Sequence, residues 1–215
     1  MNLRRTGAWL IAAGTALALL PSLAVDAADR LARRQHEAGV ARWMEYQAAT
    51  ASTPAASTAQ TAPTVIEPGE EGYLLEIPKL GLRAVVRQLE PEVLEGQNTQ
   101  RLRRYGLGQV PHADGLRNVS PGAEGTTVIA GHRTTSGAPF RHVQRLGPGD
   151  LIVVRKARAE QHWRVVYATT VAPDDVEAIR SQPGVRRLAL VACSPPFGAA
   201  WRLIVYATLD REGTH

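Results

Sequence analysis

From Tyr73 onward the chain is divided into short apolar runs rich in β-branched residues, and Gly, Pro, Asn and Asp recur in most of the segments between them. Short runs of this composition are typical of β-strands, and the residues between them are those that turns favour. We therefore expect a mainly β domain over residues 73–215, folded as a sandwich or a barrel. The runs are residues 84–86, 126–130, 151–154, 163–168, 188–192 and 203–209.

Few segments of this domain favour a helix. Residues 91–95 and 173–179 each begin with Pro followed by acidic residues, which are favoured at helix N-termini because the exposed N–H groups there carry partial positive charge. Residues 139–143 also begin with Pro and predict one or two helical turns. The domain should therefore carry only a few short helices.

The N-terminal residues indicate export. Arg4 and Arg5 precede an uncharged stretch, Thr6 to Val25, whose 20 residues would just span a bilayer core of about 30 Å as a helix. The two arginines favour a cytoplasmic N-terminus. Alternatively, residues 1–27 are a cleaved signal peptide, since Pro21 ends the most apolar part and small residues follow. Either interpretation places the remaining chain outside the cytoplasm.

Residues 28–72 connect this segment to the β domain. Residues 28–47 are polar with apolar positions at Leu31, Val40, Trp43 and Met44, which favours a juxtamembrane helix. Residues 48–68 are rich in Ala, Thr, Ser and Pro and show no hydrophobic periodicity, which is typical of a semi-extended linker. The expected organisation is a membrane anchor or signal peptide (1–27), a helix and linker (28–72) and the β domain (73–215).

The charge is concentrated in the β domain. The chain has 215 residues and a net charge of +5, yet residues 1–72 carry six Arg and seven acidic residues, and the remainder carries 19 basic and 13 acidic residues. A basic domain favours anionic partners. No basic run is interleaved with aromatic residues as in nucleic-acid surfaces. We expect no nucleic-acid partner, and an anionic envelope is a suitable environment.

Cys193 is the only cysteine, which excludes an intramolecular disulfide and a cysteine-cluster zinc site. It follows the apolar run 188–192 and is followed by two prolines, while His132 follows the run 126–130 and Arg202 begins another strand. A nearby cation or His activates a thiol for nucleophilic attack. Taken singly, these residues also fit a buried thiol, a surface His and a solvated Arg. A nucleophilic site needs all three together.

A metal site is a further alternative, and the sequence does not favour it. The candidate ligands would be His112, His132, His142 and Cys193, but no two of them have the short spacing that metal sites commonly use. We therefore expect no metal and no cofactor.

Several segments, in this order along the chain, together resemble the sortase family of cysteine transpeptidases. They are residues 75–82 (LEIPKLGL), 106–108 (GLG), 131–133 (GHR), 146–150 (LGPGD), 190–193 (LVAC) and 202–205 (RLIV). Residues 132–140 (HRTTSGAPF) and 195–202 (PPFGAAWR) are most similar to class E members. The resemblance implies an eight-stranded sortase β-barrel with a few short helices, preceded by the N-terminal transmembrane helix and linker.

The resemblance also implies the chemistry. Cys193 is the nucleophile, His132 the general acid and base, and Arg202 the group that stabilises the oxyanion or the substrate. In the family, the thiolate attacks the Thr–Gly bond of a C-terminal sorting signal of LPXTG or LAXTG type. An amine of a peptidoglycan precursor or of a pilin subunit then resolves the thioester. The implied partners are secreted proteins with such a signal, the acceptor amine and the cell membrane, which a single pass with a cytoplasmic N-terminus would anchor.

One departure from the family pattern affects the substrate pocket. The usual Thr-Leu-X-Thr-Cys is here Ala-Leu-Val-Ala-Cys, so Ala189 and Ala192 replace both threonines. The resemblance makes Ala192, Val191 and Ser194 candidate substrate-binding residues. The missing hydroxyl beside the nucleophile also leaves an alternative open, a catalytically impaired sortase-fold module that binds the envelope.

Overall fold

The structure, a computed structural model, describes residues 27, 30–49, 64–95, 97–112, 118–182, 184–198 and 200–214. Its strands are β1 (Tyr73–Ile77), β2 (Leu82–Val86), β3 (Leu107–Gln109), β4 (Gly125–Gly131), β5 (Leu151–Lys156), β6 (Ala159–Val171), β7 (Arg186–Ser194) and β8 (Trp201–Thr214). Its helices are α1 (residues 30–49) and α2 (Gln100–Tyr105). Short 3₁₀ turns cover Pro78–Leu80, Pro91–Glu95, Val143–Arg145 and Val176–Ile179.

The eight strands form one sheet in the order β2-β1-β5-β6-β8-β7-β4-β3. Neighbouring strands are antiparallel except β4 and β7, which are parallel. The two edges of the sheet approach each other after β2, where Leu89 N–H donates to Gln109 O at 2.8 Å and Gln109 N–H donates to Arg87 O at 2.8 Å. The sheet is therefore a nearly closed barrel, and the prediction of a mainly β, eight-stranded domain with few helices is confirmed.

Residues 75–82, the first segment of the family resemblance, span the end of β1, a 3₁₀ turn and the start of β2. Proline has no N–H to donate to a sheet, and Pro78 ends β1 and begins a 3₁₀ turn. Gly81 then takes a left-handed conformation, with φ of 61°, and reverses the chain. β2 consequently pairs antiparallel with β1 instead of extending it, with Ile77 opposite Leu82.

Helix α2 was absent from the predicted elements. Its six residues are too few to show an apolar period. Its ends carry recognisable caps, since Thr99 Oγ1 accepts from Leu102 N–H and Gly106 adopts φ of 73°. A Cβ at Gly106 would collide with Ser136 O, so this position requires glycine for space as well as for conformation.

The predicted juxtamembrane helix is present as α1 and packs on the outside of the barrel. Val40 and Trp43 are buried with Leu74 and Val85, and Trp43 Nε1–H donates to Gly72 O at 3.3 Å. The predicted membrane span and most of the linker lie outside the described residues. Among the residues that are described, no helix has both the length and the apolarity that a membrane crossing needs.

The chain joins the barrel before the predicted domain start at Tyr73. Ile66 is 2% exposed and belongs to the main core. Buried Gln161 holds this segment, because its Nε2 donates to Thr64 O at 2.6 Å and its Oε1 accepts from Trp163 Nε1–H at 3.1 Å. A buried amide with partners at both ends pins the strand and the incoming chain together.

Apolar residues pack on both faces of the part of the sheet formed by β4, β7 and β8. The main core fills the barrel and includes Ile129, Leu188, Leu190, Leu203 and Val205. A second cluster lies on the outer face and contains Val110, Val128, Ala189, Ile204 and Tyr206, with Val191 packed against it. The outer cluster underlies the cleft described next.

Candidate active site

Cys193 lies near the C-terminal end of β7 and is half-buried. The pairing of β7 with β8 places Cys193 opposite Arg202, and the pairing with β4 places Gly131 beside Ala192. His132 follows Gly131 directly and is therefore level with Cys193. Neighbouring strands are about 4.8 Å apart, so the structure brings the three predicted catalytic residues to one edge of the sheet.

The three residues also share one face of the sheet. Successive side chains of a strand point to opposite faces, and the outward-facing apolar residues here are Val128, Val191 and Ile204. Steps of two residues along each strand lead from these positions to His132, Cys193 and Arg202. All three side chains consequently face the outer cleft rather than the barrel interior.

The backbone of His132 is fixed from both sides. Its N–H donates to Gly106 O at 2.7 Å, and its carbonyl accepts from Phe140 N–H at 3.0 Å. Phe140 is fully buried, and a Cβ at Gly131 would overlap its ring. Gly131 thus lets Phe140 pack against the end of β4, which holds His132 at the rim of the cleft.

The imidazole of His132 has one polar partner among the described contacts, since Nε2 lies 3.2 Å from Asn98 Oδ1. When Nε2 donates to Asn98, Nδ1 is free to accept a proton. Burial lowers the pKa of His132 below its usual 6.5 because the charged form loses hydration. His132 is therefore largely neutral at pH 7. Asn98 was missed by sequence reasoning, since no local motif links the turn before α2 to the end of β4.

Arg133 supports the nucleophile from inside the fold. Its side chain is buried, with 5% exposure, and it donates from Nη1 to Cys193 O at 3.0 Å and from Nη2 to Gln144 Oε1 at 2.8 Å. Burial lowers the pKa of Arg133, and the charge of Cys193 opposes this. Arg133 belongs to the family motif at residues 131–133, but this motif predicts no role for it. Its adjacency to His132 was the available signal.

Arg202 begins β8 and is half-buried. One of its donors is engaged by a neighbouring carbonyl, since Nη1 donates to Trp201 O at 3.3 Å. A guanidinium carries five donors in a planar fork, and Arg202 lines the cleft described below.

A cleft of about 340 Å³ contains all three predicted catalytic residues. His132, Cys193 and Arg202 lie along it together with Asn98 and Asp175. Most of the surface is apolar, and its apolar side chains are Val93, Leu102, Val110, Val128, Ala130, Val171, Val176, Ile179, Val191 and Ile204. An extended peptide with small and branched apolar side chains suits such a surface.

One wall of the cleft, the segment 171–179, is fastened to the sheet. Tyr206 Oη–H donates to Ala178 O, and the Arg187 guanidinium lies 4.8 Å from the centre of the Tyr206 ring. Asp175 Oδ1 accepts from Ala178 N–H at 3.3 Å and caps the 3₁₀ turn. These contacts give the cleft a formed wall without a bound peptide.

The three predicted substrate-binding residues occupy different environments. Val191 lines the cleft and packs against the outer cluster. Ala192 is 2% exposed and packs with the main core, at the edge where this core meets the cleft. Ser194 is half-buried and, within the described part of the chain, is not among the residues that line the cleft.

The histidines of the alternative metal site do not gather around Cys193. Of these, only His132 lines the cleft within the described residues. No three His, Cys, Asp or Glu side chains in the described part of the chain lie close enough to hold a metal ion.

Known proteins are similar to this chain over the residues that form this site. The family model of the sortase domain matches residues 75–210. The chain belongs to the sortase family. Sortase SrtE1 of Streptomyces coelicolor is 31% identical over 186 residues, which are 79% of this chain and 51% of that protein. The chain therefore spans about half the length of this curated relative.

Two solved structures extend the comparison. Sortase E1 from Streptomyces coelicolor with a tripeptide in the active site is 28% identical, with a TM-score of 0.57, covering 66% of this sortase and 90% of that chain. A mutant of sortase E from Streptomyces avermitilis is 26% identical, with a TM-score of 0.52, covering 73% and 93%. The expected resemblance to class E is confirmed.

Replacing Arg133 should destabilise this sortase. The Arg133→Met change removes the charged donor of Cys193 O and of Gln144 Oε1, and a hydrogen bond to a charged group contributes about 1.5–3 kcal/mol. Urea unfolding should show a loss of this size. Arg145→Met, which removes an exposed arginine nearby, should change the free energy of unfolding by less than about 0.5 kcal/mol. Equal stability of the two variants would contradict the bridging role.

The His132 imidazole should titrate below pH 6.5, since burial lowers its pKa. The unfolded chain then binds the proton first, so the stability contributed by neutral His132 is present above pH 6.5 and is lost as the pH falls below it. NMR titration of the ring measures the midpoint. His132→Gln should weaken this fall in unfolding free energy, and a midpoint at or above 6.5 would contradict the prediction.

Proposed function

We propose that this sortase is a cysteine transpeptidase of the cell envelope. It cleaves a C-terminal sorting signal of LPXTG or LAXTG type between Thr and Gly, and it transfers the protein to an amine. The observation that supports this proposal is the arrangement of His132, Cys193 and Arg202 on one face of three adjacent strands, along one apolar cleft.

The first half of the reaction forms a thioester. Neutral His132 accepts the proton of Cys193, and Sγ attacks the threonine carbonyl carbon. Arg202 donates to the oxygen that becomes negative, and a single donor of this kind is worth about 3 kcal/mol. The C–N bond to glycine then breaks as His132 returns its proton to the departing amine. The carboxyl-terminal fragment leaves and the protein remains bound to Cys193.

The second half returns the enzyme to its starting state. An acceptor amine attacks the thioester carbonyl, His132 takes a proton from the amine, and the C–S bond breaks. His132 then passes that proton to the departing Cys193 thiolate, which restores the neutral imidazole and the thiol. The acceptor is an amine of a peptidoglycan precursor or of a pilin subunit. Because the thioester holds the acyl energy of the cleaved bond, no cofactor is required for the new amide.

The cleft suits the peptide that this reaction needs. Its apolar lining on the outer face offers contacts for the leucine and for the small or proline residue of the signal. The tripeptide in the active site of sortase E1 from Streptomyces coelicolor supports peptide binding at the corresponding position. Ala192 packs with the core at the edge of this cleft, so Arg202 and backbone N–H groups stabilise the oxyanion without a threonine hydroxyl at that position.

Cys193→Ala should abolish the proposed activity. The full chain is incubated with a fluorescent LAXTG or LPXTG peptide library, and mass spectrometry detects the cleaved peptide and the thioester adduct. Wild type should form both, and Cys193→Ala should form neither. Thr208→Ala, exposed on β8, is the matched control and should behave as wild type. If wild type and Cys193→Ala both bind the envelope and neither cleaves any peptide, the sortase-fold binding module replaces the enzyme.

We also place the enzyme in the cell membrane, with a cytoplasmic N-terminus and an external catalytic domain, because Arg4 and Arg5 precede the uncharged stretch 6–25. Fractionated cells should hold the full chain in the membrane and a chain of residues 28–215 in the soluble fraction. A soluble mature protein whose mass corresponds to an N-terminus near Ala27 would instead identify a signal peptide.

A further inference from the structure

A second cleft, of about 540 Å³, lies between α1 and the outside of the barrel. We call it the arginine cleft, after Arg42, Arg87 and Arg104, which line it. Its size is within the range of sites for small organic ligands, roughly 300–1,000 Å³. The packing of Val40 and Trp43 on the barrel holds α1 in place and so forms the cleft.

The charges of the arginine cleft are unbalanced. Glu71 is its only carboxylate among the described lining residues, and Lys156 Nζ holds this group at 2.6 Å. The hydrogen bond from Lys156, a backbone hydrogen bond and the charges of Lys156 and Arg87 lower the pKa of Glu71, so this one carboxylate faces several cations. Arg87 and Arg104 form no ion pair with any described residue. Three guanidinium groups around one cleft repel each other, and a bound anion would relieve that repulsion.

Aromatic side chains lie between these charges. The guanidinium of Arg87 is 4.8 Å from the centre of the Tyr105 ring, and that of Arg104 is 5.6 Å from it. Such stacking holds an arginine in place while leaving its N–H donors available. Tyr46, with 51% exposure, adds a second ring at the mouth of the cleft. The arrangement combines fixed donors with flat apolar faces.

A buried polar atom also faces this region. His36 lines the cleft, and its Nε2 is buried without a hydrogen-bond partner among the described residues. Burial lowers the pKa of His36, so the neutral ring offers one donor or acceptor. An unpaired buried polar atom costs free energy, and a hydroxyl of a ligand would satisfy it.

We propose that the arginine cleft binds a phosphorylated organic anion. The guanidinium groups of Arg42, Arg87 and Arg104 bind the phosphate, since their planar forks match its oxygens, and Tyr46 and Tyr105 contact the organic part. Such an anion is either a soluble sugar phosphate or the headgroup of a phospholipid. The site is separate from the catalytic cleft and requires no peptide cleavage.

Calorimetric titration of the full chain tests this site. The probes are N-acetylglucosamine 1-phosphate, N-acetylglucosamine and inorganic phosphate. Wild type should bind the sugar phosphate saturably and the uncharged sugar not at all, and inorganic phosphate should bind more weakly than the sugar phosphate. The double variant Arg87→Gln, Arg104→Gln should bind the sugar phosphate at least tenfold more weakly. Arg103→Gln, on the same helix and outside the cleft, should stay within twofold of wild type.

Further measurements separate a local effect from misfolding and identify the source of the phosphate. Since neither arginine of the double variant forms an ion pair with a described residue, its thermal melting should match that of Arg103→Gln. Tyr46→Ala should weaken the sugar phosphate and leave inorganic phosphate unchanged. Binding of phosphatidylglycerol vesicles, but not of phosphatidylcholine vesicles, through Arg87 and Arg104 would identify the ligand as a lipid headgroup. If phosphatidylglycerol vesicles do not bind in this way, the ligand is a soluble phosphate.

Two results would overturn the proposal. One is the absence of saturable binding by the sugar phosphate and by both kinds of vesicle. The other is equal weakening by Arg103→Gln and by the double variant, which would show that net charge alone attracts the anion. These assays measure binding, so an inactive Cys193 would not affect them.

Discussion

The parallel pairing of β4 with β7 determines where His132 and Cys193 lie relative to each other. Parallel neighbours end at the same edge of a sheet, so residues that follow β4 meet residues near the end of β7 although they are far apart in sequence. The antiparallel β8 begins where β7 ends, which brings Arg202 to the same edge. A one-residue slip of β7 would turn Cys193 toward the core. The cleft and the positions of His132 and Arg202 along it all depend on this register.

Buried contacts hold the register of β4 and β7 near His132 and Cys193. Phe140 packs against Gly131, and its N–H donates to the His132 carbonyl at 3.0 Å. Arg133 ties the Cys193 carbonyl to Gln144. A buried arginine is expensive unless its donors are used. Here Nη1 connects the segment that follows β4 to β7, and Nη2 connects it to the 3₁₀ turn that contains Gln144, while Nε has no partner among the described residues. These contacts hold the edge of the sheet from its core side, so the outer face remains open for a peptide.

Much of this arrangement could be predicted from the sequence, and the limits have physical causes. Apolar β-branched runs located the longer strands, and the family motifs located Cys193, His132 and Arg202, because these signals are local. Asn98 could not be found this way, since its contact with His132 exists only after the turn before α2 folds over the sheet. Pro78 and Gly81 are residue types that favour a break between β1 and β2. The apolar residues on both sides of them make this break harder to recognise in the sequence.

Helix α2 connects the two clefts, which gives its short length a physical consequence. Leu102 lines the catalytic cleft, whereas Arg104 and Tyr105 line the arginine cleft. Six residues make fewer than two turns, and the caps at Thr99 and Gly106 define both ends of the helix. Asn98, the partner of His132, immediately precedes it. The residues that line the arginine cleft and the partner of the His132 imidazole are therefore neighbours along one short segment of the chain.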